Sequence, residues 1–93
     1  MSGKKEFDFD GLRKKLDEEG RFPKVYFFKF IVPSDNRSLA LVEALFTDDA
    51  QMSLRTSKTG KYVSLSAKEV MLSTEKIIER YKKALEIEGC IAL

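Results

Sequence analysis

An α+β sandwich of β-α-β-β-α-β order, preceded by one extra helix, is the fold class this sequence predicts, and three observations predict it. Phe22-Pro23-Lys24-Val25-Tyr26-Phe27-Phe28-Lys29-Phe30-Ile31-Val32 is an aromatic and β-branched run closed off by Pro33. Two further runs alternate apolar and polar residues on either side of Ser57-Lys58-Thr59-Gly60. Segments flanking this pair carry apolar residues at helical spacing.

Taken in order, the first seven residues are small and charged and are expected to be a disordered, frayed N-terminus, so that residues 8–93 form one domain. Asp8 or Asp10 offers a helix cap, Phe9, Leu12 and Leu16 fall on one face, and Gly20 is a natural stop, which predicts a leading helix over 8–20. Arg13-Lys14-Lys15 is read as its solvated side. The core of the domain then spans 22–93.

Between Pro23 and Pro33 lie nine residues, strand length rather than helix length. Both faces of this strand are apolar except at Lys29, which predicts a central position with neighbours on either side. Ser34-Asp35-Asn36-Arg37-Ser38 is a turn and cap cluster. Leu39, Val42, Leu45 and Phe46 mark the buried stripe of a second helix from about Arg37 to Phe46. Thr47-Asp48-Asp49 is read as a solvated loop, since nothing near the paired aspartates completes a metal or acid site.

From Gln51 to Ser57, Met52, Leu54 and Thr56 share one face and Ser53, Arg55 and Ser57 the other. From Lys61 to Met71, Val63, Leu65, Ala67 and Met71 oppose Tyr62, Ser64, Ser66 and Lys68. Threonine resists positive φ, so the turn between these strands is predicted as type I over Lys58-Thr59 with Gly60 left-handed in a bulge. Ser73 caps a third helix whose buried face is Ile77, Ile78, Tyr81, Ala84 and Leu85. Gly89 is expected to end it, with Cys90-Ile91-Ala92-Leu93 as a last strand. Two split crossovers of this kind give a ferredoxin-like two-layer sandwich with a four-stranded antiparallel sheet of order 4-1-3-2.

Composition narrows the function classes. The 93 residues are 43% hydrophobic and 34% charged, ordinary globular material, and the formal charge of +2 is far from that of a concentrated nucleic-acid binder. With no histidine and one cysteine, Cys90, the chain lacks the usual general base, zinc ligand set and Cys–His nucleophile. The five glycines stand singly, so there is no phosphate loop. No catalytic residue, metal site or cofactor is expected. No run approaches the ~20 apolar residues of a membrane span, and together with the lone cysteine this leads to the expectation of a cytoplasmic, non-membrane protein. Cys90 is read as a small buried filler.

The spacing Phe22-Pro23-x-x-Tyr26-x-Phe28-Lys29-Phe30, then Ser57-x-x-Gly60-x-Tyr62-x-Ser64-Leu65-Ser66, then Tyr81-x-x-x-Leu85, resembles the YbeD-like family of small bacterial proteins of unknown function. The resemblance runs from about Leu12 to Leu93. It departs only in Lys58-Thr59 ahead of Gly60 and in a short second helix. It implies the fold reached above, a similarity to small-molecule-sensing ACT regulatory domains, and no catalytic residues. On the first strand, where parity leaves both faces open, the resemblance favours Tyr26, Phe28 and Phe30 inward, which would put Val25, Phe27, Lys29 and Ile31 outward.

These readings converge on the sheet face away from the helices as the candidate binding face, formed by Lys29, Arg55, Ser57, Tyr62, Ser64, Ser66 and Lys68. Its apolar residues Val25, Phe27 and Ile31 require cover from the leading helix, a second subunit or another partner. A binding or regulatory module is the leading expectation, with a protein partner, a homodimer or a small-molecule ligand on that face. Asp35, Asn36, Arg37 and Ser38 are a candidate ligand loop, since ACT domains carry an Asp-x-x-Gly turn there; here Ser38 replaces the glycine, and a helix cap explains the same residues. The alternative is an RNA-recognition motif, which shares the topology but needs aromatics on both central strands. Tyr62 is followed by Ser64 and Ser66, so nucleic acid is not the expected partner.

Overall fold

The computed structural model describes residues 7–93; residues 1–6, most of the segment predicted to be frayed, lie outside the described residues. The order is α1 (Phe9–Glu19), β1 (Lys24–Pro33), α2 (Asn36–Glu43), β2 (Gln51–Thr56), β3 (Tyr62–Met71), α3 (Thr74–Leu85) and β4 (Ile91–Ala92). The four strands form one antiparallel sheet in the order β2-β3-β1-β4, the predicted order read from the other edge.

β1 is central because it is the strand that is apolar on both sides. It pairs with β3 along its whole length, from Lys24 opposite Met71 to Pro33 opposite Tyr62. On its inward face Phe28, Phe30 and Val32 are fully buried, joined by Val63, Leu65, Ala67 and Met71 of β3. Val42 of α2 and Ile77, Ile78, Tyr81 and Ala84 of α3 close the core from above. Aromatic rings dominate this layer: Phe28 lies 5.5 Å from both Phe46 and Tyr81, and the hydroxyls of Tyr26 and Tyr81 meet at 3.0 Å. Burial and the Tyr26 hydroxyl hold the Tyr81 phenol well above the ordinary tyrosine range.

The caps are the expected ones. Asp8 accepts from the Gly11 N–H and Gly20 closes α1 in the left-handed region. Asp35 caps α2 and Ser73 caps α3. In the β2–β3 hairpin the Gly60 N–H donates to the Ser57 carbonyl at 3.0 Å, and Gly60 has φ 75°. The left-handed bulge is therefore present.

Several boundaries differ from the sequence reading, each for a physical reason. Regular α2 stops at Glu43; tighter bonds from Leu45 to Val42 and from Phe46 to Glu43 then swing Phe46 onto the core. α3 ends at Leu85, and Gly89 instead makes the turn into β4 with φ 80°, where a Cβ would sit 2.8 Å from the Pro33 ring. β4 has two paired residues rather than four, although the Leu93 N–H still donates to the Lys29 carbonyl at 2.9 Å. Arg13, expected on a solvated side of α1, is ion-paired to Glu75 of α3. Phe7 stacks on Tyr81, with ring centroids 5.1 Å apart. The helical layer does not reach β2, so all six of its residues are exposed, including Met52 and Leu54 on the core-side register.

Candidate binding face

Cross-strand partners of an antiparallel sheet point the same way, so the register maps the outer face row by row. Val25 of β1 lies beside Val70 of β3. The next row is Phe27, Lys68 and Gln51, and the next Lys29, Ser66 and Ser53. A further row is Ile91, Ile31, Ser64 and Arg55, and the last is Pro33 and Tyr62 with Ser57 hydrogen-bonded beside them. All seven residues predicted for this face lie on it. Ser57 has a second task, because its hydroxyl accepts from the Tyr62 N–H at 3.2 Å and so belongs to the hairpin turn.

The parity of β1 is resolved with Phe27 outward. Phe27 is 71% exposed whereas Phe28, one residue on, is 1% exposed. The Lys68 ammonium stands over the Phe27 ring at 5.7 Å. Val25, Val70 and Ile91 are exposed too, as is Leu72 just past β3. Of the three covers expected for these side chains, one is removed. α1 packs on α3, through Leu16, the Arg13–Glu75 pair and Lys82 over the Phe9 ring, and not beneath the sheet.

The face is electrostatically one-sided. Its outward strand positions hold Lys29, Arg55 and Lys68 and no carboxylate. Among the described residues every Asp and Glu lies on a helix or loop, or, at Glu69, points inward from β3.

Glu69 is the feature that alternation alone passed over. Its place on the core side of β3 puts a carboxylate that is 8% exposed under α3, where Arg80 meets it in a two-pronged bridge of 3.0 and 3.4 Å. The guanidinium is flanked by the rings of Phe28, at 5.4 Å, and Phe46, at 4.9 Å. The planar group thereby gains cation–π contacts on top of its paired charge. A glutamate at an inward position of β3 was the available signal, and its partner eleven residues further on, in the next element, could be found only in three dimensions.

The candidate ligand loop is organised as a helix cap. Asp35 accepts from the Ser38 N–H at 2.7 Å and the Ser38 hydroxyl at 3.0 Å, bonds that hold its carboxyl below the usual range. Asp35, Arg37 and Ser38 also line a shallow recess of about 540 Å³ with Leu41 and the Glu86–Gly89 turn. Asn36 is exposed outside it. A wider hollow of about 1160 Å³ runs under that turn beside Phe9, Tyr62 and Cys90. Cys90, expected to be buried, is half-buried on the wall of this hollow, and that burial pushes its thiol up to about 11. Among the described residues no group of three or more Cys, Asp or Glu gathers as a metal site would require, and no helix is long and apolar enough to cross a membrane.

Residues 17–91 match the family described as protein of unknown function (DUF493), and with most of its length matched the chain belongs to that family. No curated protein and no solved structure matches the chain.

Proposed function

We propose that this protein is a small non-catalytic binding or regulatory module, ACT-like and YbeD-like, cytoplasmic, which works through the outer face of its sheet. The observation that carries this reading is the bare apolar group of Phe27, Val25 and Val70 at one end of a face that the extra helix leaves uncovered, with Ile91 exposed at the other end. Contiguous exposed apolar side chains rimmed by polar ones are a mark of interaction surfaces, and aromatic residues and arginine are enriched in such contacts. Ser64, Ser66 and Ser53 add hydroxyls between the cations.

The test is the double variant Phe27→Ser, Arg55→Glu. Circular dichroism should report an unchanged fold, while light scattering and capture from native cytoplasm should show loss of the mass or partner that the wild type displays. A variant that keeps both the wild-type mass and every wild-type partner would refute the reading. RNA binding is the second reading, supported by an exposed aromatic on each central strand, Phe27 on β1 and Tyr62 on β3, and by the absence of carboxylates at the outward strand positions. A salt-sensitive complex with single-stranded RNA, weakened by Tyr62→Ala, would favour it.

A further inference from the structure

We infer that the partner of the outer face is an acidic polypeptide segment bearing apolar side chains; this rests on the contact-surface reading above and adds the chemistry of what the surface holds. Lys29, Arg55 and Lys68 project from three different strands, with no carboxylate at any outward strand position. The ion pairs among the described residues are Arg13–Glu75, Lys24–Glu19 and Arg80–Glu69, so among those residues none of these three cations has an acidic partner.

The register fixes their spacing. Lys29 and Lys68 are on neighbouring strands one row apart, which places their α-carbons ~8 Å from each other, and Arg55 is ~12 Å from Lys29 by ordinary strand geometry. An extended polypeptide carries alternate side chains on one side at intervals of ~7 Å. Carboxylates at alternate positions of such a segment therefore reach this triangle of cations. The apolar rows bracket it, with Val25, Val70 and Phe27 at one end and Ile31 and Ile91 at the other, ready for the apolar side chains of the same segment.

Two other occupants fit less well. A second copy docked face to face about a two-fold axis would set these cations against themselves with no counter-charge, which costs affinity. Single-stranded RNA needs neighbouring aromatic platforms. Here Phe27 and Tyr62 are three rows apart, ~20 Å along the strands, with Ser64, Ser66 and Lys68 between, and the Lys68 ammonium already stands over the Phe27 ring.

The experiment titrates the full-length ¹⁵N-labelled protein with short peptides whose alternate positions run Leu, X, X, Phe with Ser in between, so that X and the apolar residues share one side, X being Glu, Ser or Lys, and with a U-rich single-stranded RNA. The Glu peptide should shift the amides of Phe27, Lys29, Arg55, Ser66 and Lys68, while the Ser and Lys peptides leave them in place. The double variant Lys29→Glu, Lys68→Glu should weaken that binding by about tenfold or more, as should added salt. Lys29→Gln, Lys68→Gln should give an intermediate loss with the same circular dichroism, which separates charge from damage to the fold. If the Ser or Lys peptide binds the face as tightly as the Glu peptide, the acidic assignment is wrong although the contact surface stands. If the Glu peptide shifts no amide on the face, the inference is overturned, and the contact-surface reading is judged separately on the mass and capture of Phe27→Ser, Arg55→Glu. RNA binding there more tightly than the Glu peptide would replace the acidic polypeptide with nucleic acid.

Discussion

Phe27 and Phe28 are adjacent, chemically identical and on opposite sides of one strand, so truncating each to alanine measures what the sheet buries on either face. A phenylalanine side chain presents ~200 Å². With Phe27 71% exposed, about a third of that area is covered, which at ~25 cal/mol per Å² is worth ~1.5 kcal/mol as an upper bound. Compact unfolded chains reduce that figure, so Phe27→Ala should cost ~1 kcal/mol, part of it strand propensity. Phe28 is fully buried among Phe30, Phe46 and Tyr81, with the Arg80 guanidinium over its face. Its truncation combines lost transfer energy with a cavity and should cost ~3–5 kcal/mol. The difference corresponds to roughly 10–25 °C in Tm for a domain of this size. Urea denaturation followed by far-ultraviolet circular dichroism, with unchanged m, is the assay. Equal costs for the two variants, or a cost above ~2 kcal/mol for Phe27→Ala, would place Phe27 in the core and remove the foundation of the outer-face reading.

Gly60→Val should destabilise by ~1 kcal/mol or more through its left-handed backbone alone, because a Cβ there meets nothing within 4 Å; an unchanged urea midpoint would contradict the bulge. Arg80→Ala strands the buried Glu69 carboxylate and should cost ~3–5 kcal/mol, whereas Glu69→Leu with Arg80→Met should recover most of it. A double-mutant cycle checks this, and a double variant as unstable as Arg80→Ala would show that the pair is not what holds α3 to β3. Cys90, with its thiol raised to about 11, should react with iodoacetamide far more slowly in the native protein than in urea, and faster as pH rises toward 11. Equal rates at pH 8 in native and unfolded protein would refute that burial.

The sheet order, the caps and the hairpin were legible because each rests on local chemistry. Two prolines bound β1, Asp35 and Ser73 have side chains that cap, and Gly60 follows residues that resist positive φ. The ends of elements were less legible, since they are decided by packing. Gly89 reads as a helix stop, but its left-handed turn is demanded by the Pro33 ring across the chain. α2 appeared longer because Leu45 and Phe46 keep helical spacing while following it in a tighter turn. Alternation in β2 marks Met52 and Leu54 as core-facing, yet how far the helical layer extends is not written in those six residues. The seven residues of the candidate face were recoverable from period-two spacing once β1 had a parity. Val70 follows from the same count and was passed over. The one-sided charge of the face emerged only when register placed Lys29, Arg55 and Lys68 together.

The arrangement of the tyrosines gives the molecule an optical property. The chain has three tyrosines and no tryptophan, so tyrosine is its only strong ultraviolet emitter. Tyr26 and Tyr81 are hydroxyl to hydroxyl within the aromatic core, whereas Tyr62 stands at the end of the outer face and is 46% exposed. Emission that a soluble collisional quencher can reach therefore comes chiefly from the face itself. Any occupant that covers its far row shields that emission, so occupancy can be followed in the unlabelled protein.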